Sequence, residues 1–114
     1  MNSVCLDIID FRKGGGLVPV IVQDSKTREV LTLAYTNKDA LMRTLETGFA
    51  HYYRRSHRKV MKKGVTSGNF QKIIDVFVDC DFDSIIYLVE QEGVACHLGK
   101  FSCFHNKLKK ALVS

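Results

Sequence analysis

Apolar positions in this chain fall into short runs separated by polar or glycine-bearing turns. Leu17 to Val22 is apolar and β-branched, with Pro19 near its start, and predicts a strand. Gln23 to Arg28 is polar and turn-like, and Val30 to Tyr35 predicts a second strand, so the two form a hairpin. Ala40, Leu41, Thr44 and Leu45 then recur at helical spacing. Asn37 suits the N-cap of that helix and Gly48 its C-cap, which sets the element to end near Thr47. His51 to Arg55 predicts a short aromatic and basic strand, and Phe70 to Val78 and Ile85 to Val89 predict two more. Asp79 to Ser84 is then either a strand end or the turn between two antiparallel strands. Lys62 to Asn69 reads as a loop, Gln91 to Phe104 as loop with short strand pieces, and Lys107 to Leu112 as a short tail helix. The pattern is α+β, mostly antiparallel β with one main helix, in a single domain over residues 1–114.

Composition adds little to the fold but narrows the setting. Hydrophobic residues make up 46% of the chain and charged residues 25%, ordinary values for a globular protein. The longest apolar runs are far too short to span a bilayer, so no membrane role is expected. Asp7, Asp10 and Arg12 interrupt the only segment that could serve as a signal peptide. A cytoplasmic protein with reduced thiols is therefore expected. The net charge of +5 is unevenly placed: no acidic residue lies between Glu46 and Asp75, a stretch that holds Arg54, Arg55, Arg58, Lys59, Lys62, Lys63 and Lys72. Such a patch suits nucleic acid, a membrane surface or a phosphorylated small molecule, and charge alone does not choose.

The chemistry is concentrated in the second half. Cys80, Cys96 and Cys103 are separated by 15 and 6 residues, and none forms the CxxC pair of a structural zinc site. Three protein ligands with an open fourth position are what a hydrolytic zinc needs, because bound zinc lowers the pKa of water to about 7. His97, beside Cys96, is placed to move protons. Cys5, far from polar company, reads as a core thiol. Asp79, Asp81 and Asp83 would share one face of an extended segment, with Cys80 on the other. Three carboxylates so close need a cation or basic groups to neutralise them, and oxygen-only ligands suit magnesium or calcium. The basic stretch from Arg54 to Gly64, followed by Val65 to Asn69, combines cations with hydroxyls and glycines, a cradle for phosphate that matches no P-loop.

These residues carry a resemblance to a known family. GLVPVIVQD (Gly16 to Asp24), EVLTLAY (Glu29 to Tyr35), Arg55-Ser56, KGVTSGN (Lys63 to Asn69), VDCDFDS (Val78 to Ser84), VEQEG (Val89 to Gly93), ACH (Ala95 to His97) and SCF (Ser102 to Phe104) follow in order. Together they resemble phosphoribosyl-AMP cyclohydrolase, the histidine-biosynthesis hydrolase that opens the N1–C6 bond of the adenine ring of phosphoribosyl-AMP. The resemblance implies a barrel-like, mostly antiparallel sheet and an obligate homodimer with shared zinc sites. Cys80 of one chain would meet Cys96 and Cys103 of the other on zinc, Asp79, Asp81 and Asp83 would bind magnesium, and His97 would transfer protons. Arg55, Ser56, Lys63, Thr66, Ser67, Gly68 and Asn69 would bind the substrate. The chain departs from the usual family loop at Arg54, His57, Met61 and Val65, and Val65 replaces a carboxylate. That leaves two further readings: a divergent relative acting on another phosphorylated purine, or a non-enzymatic nucleic-acid-binding module.

Overall fold

A computed structural model describes residues 4–110. The first two apolar runs form β1 (Val18–Asp24) and β2 (Val30–Thr36), paired antiparallel with Val20 opposite Ala34. Along β1 the buried positions are Val18, Val20, Val22 and Asp24, the period of two that a half-buried strand requires. That alternation carries the Asp24 carboxylate inward. It is satisfied there by the Lys26 and Thr27 amides at 3.1 and 2.8 Å and by the Thr27 hydroxyl at 3.0 Å, which close the hairpin turn.

The helix α1 (Lys38–Thr47) starts and stops where its caps predict. Asn37 accepts the Ala40 amide at 2.8 Å, and Gly48 takes a left-handed φ of 76° while its amide bonds the Thr44 carbonyl. Ala40, Leu41 and Thr44 face the core, whereas Leu45 is exposed. Two short strands follow, β3 (His51–Arg54) and β4 (Lys59–Lys62), paired as an antiparallel hairpin. The second was not expected: four charges in and around a four-residue strand (Arg58, Lys59, Lys62 and Lys63) hide its period, and the basic stretch reads as loop. The long strands β5 (Gln71–Val78) and β6 (Ile85–Gln91) complete the chain's regular structure. Residues 79–84 are the turn between them, as one of the two readings held.

The sheet has the order β2-β1-β6-β5, two antiparallel hairpins joined by a parallel pair, Val20 opposite Ile85. It is open, so the expected barrel-like closure is corrected: β2 and β5 are edges that do not meet. The core lies between one face of this sheet, α1 and β3. Val18, Val20, Val22, Leu31, Leu41, Tyr52, Ile85, Tyr87 and Val89 fill it, each worth roughly 1.5–3 kcal/mol of burial. The Tyr87 hydroxyl bonds the Thr44 hydroxyl at 3.4 Å and so stays paired inside.

On the opposite face, registered positions place Leu33, Ile21, Ile86 and Phe77 in one row across all four strands. Leu33 is 49% exposed and Ile21 39% exposed, while Ile86 and Phe77 are half-buried. Two further expectations fail. Cys5 is exposed rather than a core thiol, because in the segment before β1 it is Leu6, Ile9 and Phe11 that turn toward the core. Residues 107–110 are irregular rather than helical, and the remainder of the expected tail helix lies outside the described residues. Among the described residues no helix is long and apolar enough to cross a membrane.

Candidate active site

The turn from β5 to β6 gathers the three aspartates. The Asp79 Oδ1 accepts the Asp83 and Ser84 amides at 3.0 and 3.1 Å, an Asx-type cap that folds the chain back on itself. Phe82 takes a left-handed φ of 62° to complete the turn. Turn geometry, not an extended strand, therefore brings the carboxylates together, and a donor oxygen of each lies within 4.8 Å of the others. Lys13 enters this group from the segment before β1. Its Nζ is 2.5 Å from Asp83 and 3.4 Å from Asp81, and the Asp10 amide anchors the same segment to the Phe82 carbonyl at 2.8 Å. Lys13 is the basic group that the repulsion argument called for, and 70 residues separate it from Asp83 in sequence.

The ammonium of Lys13 and, after it, the hydrogen bond shared with Asp81 hold Asp83 down at about 2. Asp81, which faces Asp83 and Asp79, is raised above its usual value. A carboxylate depressed in this way contributes stability above its unfolded value of about 3.9, and that contribution is lost as pH falls through about 2. Replacing Lys13 with Met should move the Asp83 carboxyl titration up toward about 4. Carboxyl-carbon NMR of metal-free protein checks this, and an unmoved midpoint would refute Lys13 as the cause.

The thiols are not brought together within one chain. Cys80 follows β5 at one edge of the sheet and is exposed. Cys103 is tied to the other edge, its amide bonding the Leu31 carbonyl of β2 at 2.7 Å. Three strand spacings, about 14 Å, separate those edges, whereas two thiolates on one zinc are at most about 4.6 Å apart. Cys96 lies on a turn in which its amide bonds the Lys100 carbonyl and its buried sulfur accepts the Leu98 amide at 3.4 Å. His97 is exposed on the same turn. Among the described residues the three aspartates are the only group of three or more metal-ligating side chains within reach of one ion.

The β3–β4 hairpin presents the basic residues. The Arg55 guanidinium lies 4.0 Å above the Tyr35 ring, and Lys62 sits 4.6 and 4.9 Å from the rings of Phe49 and Phe70. Lys63 reaches the Ala95 carbonyl at 3.3 Å, which ties the basic hairpin to the residue before Cys96. A cleft of about 370 Å³ opens here, lined by Tyr35, Tyr53, Arg54, Arg55, Ser56 and Lys63. A larger groove of about 610 Å³, between the first residues, α1 and β5, is lined by apolar side chains with Cys5 and the acidic Asp75, and offers no basic side chain to a phosphate. The cleft thus unites Arg55, Ser56 and Lys63. Thr66, Ser67, Gly68 and Asn69 lie on the adjoining loop and do not line it. At the cleft's buried wall, the Tyr52 hydroxyl donates to Gln71, whose amide donates to Gln91 at 2.8 Å.

Residues 32–105 match the profile of the phosphoribosyl-AMP cyclohydrolase family, a span that holds the thiols, the aspartates, His97 and the basic cleft. This chain belongs to the phosphoribosyl-AMP cyclohydrolase family. The phosphoribosyl-AMP cyclohydrolase of Archaeoglobus fulgidus is 57% identical over 94 residues, covering 82% of this chain and 87% of that protein. The one from Nitrosopumilus maritimus is 57% identical over 104 residues, covering 91% and 96%. The histidine biosynthesis bifunctional protein HisIE of Pyrococcus furiosus is 52% identical over 103 residues, 90% of this chain but 49% of that longer protein. Lys13, Tyr52 and Gln71 carry no motif of their own, and Tyr35 and Gln91 lie in the motifs EVLTLAY and VEQEG, which name neither residue's partner. A lone lysine, an aromatic in a strand and a buried glutamine look ordinary until the fold supplies their partners.

Proposed function

We propose that this enzyme hydrolyses the N1–C6 bond of the adenine ring of phosphoribosyl-AMP in histidine biosynthesis, as a homodimer whose zinc centres are shared between chains. The observation that carries this reading is the position of the thiols. Cys80 and Cys103 stand at opposite edges of one sheet, so a three-thiol centre forms only when Cys80 comes from a second copy. The exposed apolar row of Leu33, Ile21, Ile86 and Phe77 supports pairing of copies, since a row of this kind is costly to leave in water. Soft thiolates suit zinc, and the buried Cys96 sulfur already accepts an amide donor, as ligating sulfurs do. Zinc held there would supply a hydroxide nucleophile at neutral pH.

The remaining work falls to this chain's side chains. Arg55 and Lys63, with the Ser56 hydroxyl, hold phosphate oxygens of the substrate in the cleft. Tyr35 stiffens Arg55 from below, so its planar fork is presented with less freedom to lose. The loop from Thr66 to Asn69 adds amides and hydroxyls beside it. Water oxygen adds at C6, the N1–C6 bond breaks, and N1 takes a proton, for which His97 beside Cys96 is the donor. Lys63, bound to the Ala95 carbonyl, keeps the phosphate site in register with that turn. Magnesium would sit among Asp79, Asp81 and Asp83, exchanging with the Lys13 ammonium. Reduced thiols at all four cysteines fit a cytoplasmic setting.

Zinc content measured together with ring opening of phosphoribosyl-AMP tests the reading. Stoichiometric zinc and turnover that chelation abolishes are expected. Full activity in metal-stripped protein would refute the zinc centre, and turnover of a different phosphorylated purine alone would refute the substrate.

A further inference from the structure

The sulfur of Cys96 has a second neighbour besides the Leu98 amide. His105 Nε2 stands 3.8 Å from it. A thiolate at about 2.3 Å and an imidazole nitrogen at about 2.05 Å from one tetrahedral zinc lie about 3.6 Å apart. The observed separation is therefore close to that of two ligands on the same ion. The sequence position agrees. His105 follows Cys103 by two residues, so one short segment carries both donors. The start of that segment is anchored: the Cys103 amide bonds the Leu31 carbonyl at 2.7 Å and the Phe104 amide bonds the Ser102 hydroxyl at 2.9 Å.

We propose that His105 is a metal ligand of the thiol centre, contributed by the same chain as Cys96 and Cys103. The inference rests on the shared-thiol reading above and adds a residue to it. Two thiolates and an imidazole form a donor set suited to zinc. With the partner's Cys80 they make four protein ligands, which leaves no position for water until one ligand withdraws. His105 is the ligand that withdraws, because it is the one neutral donor among charged thiolates and is exposed on residues 104–110, which form no helix or strand. Cys103 must also turn its side chain inward when an ion is held, since its sulfur does not lie within 4.8 Å of both Cys96 and His105. The resting centre is then closed, and withdrawal of His105 opens it.

X-ray absorption at the zinc edge of the full-length, zinc-loaded protein tests this without an activity measurement. Imidazole scattering is expected in the unaltered protein, lost in His105→Ala and kept in His97→Ala. The cobalt-substituted protein should shift its visible bands in His105→Ala as oxygen replaces nitrogen. Zinc affinity should fall at least about tenfold, the lower end of what even outer partners of metal ligands cost when removed. Imidazole scattering that survives His105→Ala, vanishes in His97→Ala, or is absent from zinc-loaded unaltered protein overturns the assignment and leaves the thiol centre standing. Protein that takes up no zinc at all overturns the thiol centre, and the assignment with it.

Discussion

Cys80→Ala and Cys103→Ala proteins, each expected to be inactive alone, should regain about a quarter of full activity when mixed and allowed to exchange subunits. The arithmetic follows from two-fold symmetry: random exchange makes about half of the dimers mixed, and each mixed dimer has one intact centre of two. In that centre the Cys103→Ala chain supplies Cys80, and the Cys80→Ala chain supplies Cys96 and Cys103. The other centre lacks both thiols. Each single variant should retain its fold, because Cys80 is exposed and Cys103 is held through its backbone amide rather than its sulfur. Zinc stoichiometry should track the activity. Exchange demonstrated by mass spectrometry without any recovery would overturn the centre shared between chains.

Gly64→Ala should cost about 2–5 kcal/mol of stability and disable the phosphate cleft, while Gly68→Ala costs about 1–2 kcal/mol. Both glycines take left-handed φ values, 94° and 77°, so both replacements bear the backbone penalty. Only Gly64 is also packed against its own chain. A β-carbon there would lie 2.6 Å from the Phe70 amide nitrogen and 2.7 Å from the Asn69 carbonyl carbon, whereas nothing lies within 4 Å at Gly68. Backbone atoms cannot swing aside as a side chain does, so the loop from Gly64 to Phe70 must open. That loop adjoins Lys63, and its opening loosens Lys63 from the Ala95 carbonyl. Urea unfolding of the two variants side by side, with the KM of each, provides the measurement. Equal midpoints would show that the close approach at Gly64 is of no consequence.

Local signals were read correctly where the physics is local. Asn37, Gly48 and the apolar spacing between them set α1 without reference to the rest of the chain. The β1–β2 hairpin followed from runs of branched residues broken by polar ones, while the same signal left residues 79–84 open between a strand end and the turn that the structure has. The hairpin strand β4 did not follow, because Lys59 and Lys62 mask an alternation only two turns of the pleat long. The aspartates illustrate a mixed outcome. Their clustering was legible, but the reason was not: the Asp79 side chain caps a turn and draws Asp83 back, rather than strand alternation aligning the three. Cys5 was misplaced because nothing in its neighbours tells whether a segment outside the sheet is covered.

The sequence by itself determined the helix, the β1–β2 hairpin, the donor types and the family, since caps, periodicity and ordered motifs act within a few residues or accumulate along the chain. Only the tertiary structure decided which distant residues meet. The parallel seam between β1 and β6 joins the two halves, and it places Cys80 and Cys103 on edges too far apart for one ion. It also lets Lys13 reach Asp83 and Arg55 lie on Tyr35. Such pairings depend on strand order, and strand order is set by the burial of whole faces rather than by any short stretch of residues.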